Sequence, residues 1–347
     1  MPILRKPPQY GFFSFDSGLL HQLADAYGLG PLTGFRPILL DGDHCTLIDV
    51  RSQTSRKMVI ESSDGTRLFL KQIPWYCERD ALILATRWQT QARDAGAPVP
   101  RLLHTSAGLP WFEIAGSYFT LTEYVPGRRY AATPADRVQA GEAIASLHCA
   151  AVDVPADPAE NTFAGAAEHI TLTRESTAVP SPVLDVMEHA VSIWGEQAEA
   201  AGWDGLAGQL THGDTNPWNL IYGEGECAML IDFDNAHRGP CLRDIAEALL
   251  SFCSVHYRKD STNFAPVLPG RINRPAAADI LAAYTRVRHL ARAEIACIPP
   301  ASGAVAVGLV CLGLMRGDYP TAMAAELAAW ATTIPADVAD IVREHRP

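Results

Sequence analysis

Apolar residues first recur at helical spacing in Leu19, Leu20, Leu23 and Ala24, with Asp16-Ser17-Gly18 before them and Gly28 after, which predicts a short capped helix. The period then shortens. Cys45–Val50, Lys57–Glu61 and Arg67–Ile73 are rich in Val, Ile, Leu and Phe and are separated by Ser52-Gln53-Thr54-Ser55 and Ser63-Asp64-Gly65, so three antiparallel strands joined by hairpins are expected. Between Glu78 and Ala95, Leu82, Ala85, Trp88 and Ala92 return to helical spacing until Gly96, Pro98 and Pro100 end the run. Two more strands are expected at Trp111–Ile114 and Tyr118–Tyr124, turned by Ala115-Gly116-Ser117, and Pro126-Gly127 then breaks the chain. A β-rich unit over residues 1–125 and a larger, mainly helical one over 126–347 follow, an α+β arrangement. In the second, Ala135–Cys149 and Val183–Ala201 read as helices, 150–180 has weak periodicity, His212–Ile231 reads as loop, strand, turn and strand, and helices dominate from Asp244 on.

Composition narrows the class of molecule. The 347 residues are 48% hydrophobic, enough to fill a substantial core, so disorder is excluded. No uninterrupted apolar run reaches the 18 or so residues of a membrane span, and the first residues carry no signal-like apolar stretch; a cytoplasmic protein without a membrane partner is expected. The eight cysteines contain no C-x-x-C pair and point to buried thiols. A net charge of −11 without Lys/Arg clusters argues against a nucleic-acid partner. Only four lysines occur, and Lys71 stands within the apolar run Leu68-Phe69-Leu70-Lys71-Gln72-Ile73, where a charge must pair, bind an anion or blunt a sheet edge.

The densest polar constellation is Thr211-His212-Gly213-Asp214-Thr215-Asn216-Pro217-Trp218-Asn219, followed by Leu230-Ile231-Asp232-Phe233-Asp234. Polar groups hemmed in by apolar strands are costly to desolvate unless something binds them. Phosphoryl transfer from ATP needs a carboxylate to orient and deprotonate a hydroxyl, a task that suits Asp214. It also needs Mg²⁺ held by oxygen ligands, which suits Asn219 and Asp232.

Here the chain resembles the aminoglycoside phosphotransferase and choline kinase superfamily, nearest its homoserine kinase type II and spore-coat kinase-like branches. His212-Gly213-Asp214 with Asn219 matches that superfamily's H-G-D-x-x-x-x-N loop, Ile231–Asp234 matches I-D-[FW]-[DE], and Asp244-Ile245-Ala246 matches D-[LI]-A. The resemblance implies a two-lobed, protein-kinase-like fold. It further implies that Asp214 is the base, that Asn219 and Asp232 are Mg²⁺ ligands, that His212 and Asp244 brace the loop, and that Lys71, on a third strand, contacts the α- and β-phosphates. The usual acidic partner of that lysine is missing from mid-helix; Glu78 and Asp80 in the first turn are the candidates, or both merely complement the helix dipole. Ser52, Thr54 and Ser55 form either a phosphate-clamping loop or an ordinary polar hairpin, and Glu123-Tyr124-Val125 stands where the family binds adenine through backbone groups.

The implied partners are the nucleotide and a hydroxyl-bearing acceptor. The acids scattered over 151–205 form a rim for a cationic acceptor or simply a solvated face. A small metabolite or antibiotic, a Ser or Thr of a peptide, and a catalytically impaired, binding-only fold are the alternatives.

Overall fold

The computed structural model describes residues 17–36, 57–74, 77–150, 161–223, 227–254, 256–257, 266–267 and 270–344. They fall into two compact units, one of residues up to Arg129 together with Ile221–Asp234, the other of Tyr130–Leu220 and Asn235 onward.

The first unit is built on an antiparallel five-stranded sheet in the order β1-β2-β3-β5-β4. Its strands are β1 (Leu32–Arg36), β2 (Lys57–Ser62), β3 (Arg67–Gln72), β4 (Phe112–Ile114) and β5 (Ser117–Glu123), and its helices α1 (Ser17–Tyr27) and α2 (Arg79–Asp94). Side chains alternate between faces along each strand. Leu68 and Leu70 of β3 and Phe119 and Leu121 of β5 therefore pack with Leu19, Leu20 and Leu23 of α1. The opposite face receives Phe69, Lys71 and Ile73, with Thr120 and Thr122, which line a pocket. Ile114 pairs with Ser117 across Ala115-Gly116, both at positive φ, the backbone of a tight two-residue hairpin.

The outer strand departs from expectation. The segment paired with β2 is Leu32–Arg36, whereas the expected strand Cys45–Val50 and the hairpin with Ser52, Thr54 and Ser55 lie outside the described residues. Gly34 hides β1 in the sequence: the register shifts between Leu32 and Gly34, and a glycine inside a strand accompanies such a bulge.

The second unit is mainly helical: α3 (Pro134–Cys149), α4 (Thr162–Ser176), α5 (Ser181–Ala201), α6 (Leu242–Cys253), α7 (Arg274–Val287), α8 (Arg292–Arg316) and α9 (Ala324–Glu344). Helix α4 occupies the stretch of weak periodicity. Asn161 caps it by accepting from the Phe163 and Ala164 amides, and Phe163, Ala166, Ile170 and Thr173 form a narrow buried face. α3 and α7 approach closely at Gly141, where a Cβ would stand 2.5 Å from the Ile280 carbonyl oxygen. By length and composition α8 could cross a membrane, contrary to the reading of apolar runs in the sequence, yet 72% of its most apolar window is buried inside the protein, against α4, α5, α6 and α9. It forms the core of this unit.

Candidate active site

In the first unit, the alternation of β3 turns Lys71 toward the pocket and buries it. Its Nζ lies 2.5 Å from Asp232 Oδ1 and 2.6 Å from Asp234 Oδ1. Lys57, directly opposite Lys71 in the β2–β3 register, reaches Asp232 Oδ2 at 2.7 Å. Two ammonium groups and two carboxylates thus meet at one point. Asp232 adopts φ +70°, an uncommon conformation that Asp tolerates better than most residues. Burial works against its charge, but the charges and hydrogen bonds of Lys57 and Lys71 outweigh burial and hold the carboxyl well below the usual range. Burial, with the adjacent Asp232 charge, pushes the Asp234 carboxyl up despite Lys71. Burial would likewise discharge Lys71, and the two aspartates reverse this and keep it an ammonium.

The pocket beside this cluster is a cleft partly open to solvent. Ile73, Leu82, Ala85, Ile221 and Ile231 make it largely apolar, and Lys71, Asp232 and Asp234 supply its charge. Glu123, Tyr124 and Val125 line it. The Glu123 amide donates to the Arg101 carbonyl at 3.0 Å and the Tyr124 amide to that of Arg67 at 3.4 Å; among the described residues no protein group takes the Val125 amide. The Glu123 carboxylate instead accepts from the Arg101 amide at 2.8 Å.

Glu78 is a correction. It stands exposed at the N-cap of α2 and is not a partner of Lys71, whose carboxylates come from Asp232 and Asp234. Asp80 is exposed as well. Toward the pocket, α2 presents Leu82, Ala85, Thr86 and Gln89, all uncharged.

In the second unit, β6 (Gln209–Thr211) pairs with a strand at His237–Gly239 and launches the loop that carries Asp214. Gly213 turns it at φ +76°, where a Cβ would come within 2.1 Å of the Asn235 carbonyl oxygen. Asp214 is braced on both oxygens: Asn216 Nδ2 donates to Oδ1 at 2.6 Å and Asn219 Nδ2 to Oδ2 at 2.7 Å. Asn219 also donates to the Asp214 carbonyl at 2.9 Å, and its own Oδ1 receives no donor among the described residues.

Beneath the loop, buried Asp244 of α6 accepts the His212 amide at 2.6 Å, the Gly213 amide at 2.9 Å and His148 Nε2 at 3.0 Å. His148 Nδ1 in turn lies 2.9 Å from the Tyr284 hydroxyl. Burial opposes ionisation of Asp244, but the hydrogen bond and charge of His148, with the charge of His212, keep its carboxyl well below the usual range. The structure thus joins Lys71 to Asp232, Asp214 to Asn219, and Asp244 to the His212 backbone.

Lys57, Asp234, His148, Tyr284 and Glu247 escaped the sequence reading. Lys57 carried the same signal as Lys71, a scarce lysine entering an apolar strand, and Asp234 sat inside a recognised motif. Buried Glu247, 3.3 Å from Arg243, is pushed well above the carboxylate range by burial and by the charges of Asp214 and Asp244; nothing in its helical context marks it.

A sequence model of the phosphotransferase enzyme family (APH) matches residues 47–267, more than half of the chain. The chain belongs to this family. No curated protein matches the sequence. Among solved structures, the chain is similar to an aminoglycoside phosphotransferase from Alicyclobacillus acidocaldarius, with 14% identity, a TM-score of 0.62, and coverage of 98% of this chain and 99% of the other. It is also similar to a microcompartment-associated aminopropanol kinase, at 16% identity and TM-score 0.64 over 95% and 97% of the two chains. An amicoumacin kinase solved with AMP-PNP, Ca²⁺ and Ami shows 16% identity and TM-score 0.62 over 94% of each chain. At these identities the likeness establishes the kinase-like fold of this family member: a five-stranded antiparallel sheet followed by a mainly helical region.

Proposed function

We propose that this protein transfers the γ-phosphoryl group of ATP to a hydroxyl of a small metabolite or antibiotic, an amino sugar or amino alcohol being the favoured acceptor class. The observation that carries this reading is the buried Lys71 ammonium, fixed by Asp232 and Asp234 at the wall of a largely apolar pocket. The apolar wall suits a purine, the Val125 amide, with no acceptor among the described residues, suits a ring nitrogen, and Lys71 faces the phosphates. Asp214, held by Asn216 and Asn219, orients the acceptor hydroxyl and takes its proton.

The donors present fit Mg²⁺. An ionised Asp232 carboxylate and the Asn219 Oδ1 are hard oxygen ligands, and donation of the Asn219 amide nitrogen to Asp214 leaves that oxygen for a cation. The bound metal supplies positive charge against the triphosphate. Asp244 and His148 position the loop through its amides.

The acceptor class draws support from the aminopropanol and amicoumacin kinases among the similar structures. Within the family, the motif spelling resembles the homoserine kinase type II and spore-coat kinase-like branches. The described acids between Glu168 and Asp204 are exposed, and Asp185 and Glu188 are paired with Arg174, so they support a solvated face more than a binding rim. The binding-only alternative leaned on the missing helix acid and on the glycine-free hairpin at residues 52–55, which lies outside the described residues; its first support is weakened because two carboxylates already hold Lys71.

Thermal unfolding with and without ATP and Mg²⁺ tests the nucleotide half, since a ligand of the folded state raises its stability. ATP consumption stimulated by amino sugars, amino alcohols, homoserine or Ser peptides tests the acceptor half. Asp214→Asn is expected to keep the nucleotide-dependent stabilisation and lose most turnover. No stabilisation by millimolar nucleotide, or unchanged turnover in that variant, would sink the reading.

A further inference from the structure

Both oxygens of Asp232 are engaged by ammonium groups, Oδ1 by Lys71 and Oδ2 by Lys57. Two of the chain's four lysines converge on this one carboxylate. The strand register brings them together: Lys57 and Lys71 are direct cross-strand partners, a placement in which like charges repel unless a carboxylate joins them. The two are not equivalent. Lys71 is shared by Asp232 and Asp234 and its side chain is 7% exposed, whereas Lys57 has Asp232 as its one carboxylate among the described residues and is 11% exposed.

We infer that Lys57 is a second phosphate-binding cation that occupies the metal's place on Asp232 until nucleotide arrives. This rests on the reading of Asp232 as the metal-facing carboxylate. With Lys57 on Oδ2, a divalent cation approaching that oxygen meets a like charge, and it gains the oxygen most easily when the ammonium leaves. Lys57 is the one to leave, because it breaks one ionic contact and Lys71 would break two. Its four-carbon stem lets the ammonium swing, and the triphosphate beside Lys71 offers it a new anion. The lysine exchanges carboxylate for phosphate and no proton is transferred. Metal and nucleotide then favour each other's binding, and the coupling is reciprocal: each raises the affinity for the other by the same factor.

Lys57→Met, which keeps much of the side-chain length and removes the charge, separates this from a merely structural lysine. Mn²⁺ binding without nucleotide is followed by electron paramagnetic resonance, and binding of metal-free ATP by calorimetry in EDTA, for the wild type, Lys57→Met, Lys57→Arg and Asp232→Asn. Loss of one charge-assisted contact predicts that Lys57→Met binds Mn²⁺ about tenfold more tightly and metal-free ATP about tenfold more weakly than the wild type. Lys57→Arg should restore ATP binding. Unchanged or weaker Mn²⁺ binding in Lys57→Met, with Asp232→Asn losing Mn²⁺, overturns the inference and leaves the metal reading of Asp232 intact. Mn²⁺ binding by Asp232→Asn equal to the wild type overturns both.

Discussion

Replacing Asp244 by Ala should be among the most damaging single substitutions in the second unit. The carboxylate is fully buried and accepts two main-chain amides and a histidine ring, and its removal leaves all three donors without that acceptor. An orphaned buried donor costs about 1–3 kcal/mol, and three are left here. The Thr215 hydroxyl still reaches the Asp244 main-chain carbonyl at 2.7 Å, so α6 stays tied to the loop and the loss lies toward the lower end, about 4 kcal/mol. For a unit of roughly 200 residues each kcal/mol moves the melting temperature by about 2–4 °C, which gives a fall of about 8–16 °C. Thermal unfolding followed by circular dichroism measures it, with Asp185→Ala as the control. Asp185 forms an exposed pair with Arg174, and solvent screens such pairs, so the control should barely move. The pH dependence adds a second test. A carboxyl whose folded pKa is depressed contributes stability that is complete above its unfolded value of about 3.9 and disappears as pH falls through the folded one. The gap between wild type and variant should therefore be constant at neutral pH and narrow only below about pH 4. An Asp244→Ala protein that melts no lower than Asp185→Ala would refute the bracing argument.

Gly213→Ala forces a Cβ into the Asn235 carbonyl at an unfavourable φ; a loss of at least about 3 kcal/mol in chemical denaturation is expected. Lys71→Met removes the counter-charge shared by Asp232 and Asp234, and calorimetry should show nucleotide affinity reduced by about tenfold or more. Glu78→Gln, by contrast, alters an exposed residue that forms no ion pair with Lys71 among the described residues, and both nucleotide binding and turnover should match the wild type.

The period of the apolar residues carried much of the fold. In β3 and β5 the two-residue alternation sends Leu68, Leu70, Phe119 and Leu121 one way and Lys71, Thr120 and Thr122 the other, so the sheet and its polar face were legible together. Where one face is narrow or bulged the signal fades. α4 buries a single line of residues among Ala and Thr, and β1 is interrupted by Gly34, so neither announced itself. The polar groups around the motifs divide in the same way. Asp214 and Asn219 are close in sequence and bond each other across one loop. His148 reaches Asp244 from α3 and Tyr284 reaches His148 from α7, and contacts between elements so far apart in the chain leave no local pattern.

The absent acid in mid-α2 shows how a sequence comparison can mislead even when every residue is read correctly. A buried ammonium requires opposite charge close by, and burial alone would discharge it; the source of that charge is immaterial to the electrostatics. Here Asp232 and Asp234, one residue apart after a strand, supply two carboxylates to Lys71, and Lys57 brings the count of cations to two. The cluster is balanced without any contribution from α2. A carboxylate at the mid-helix position would add a third negative charge to two already matched and would raise Asp234's proton affinity further. Placing one there, by Ala85→Glu on the pocket wall, should therefore weaken binding of the anionic nucleotide, measured by calorimetry, and a variant that binds it more tightly would mean that Lys71 is short of counter-charge after all.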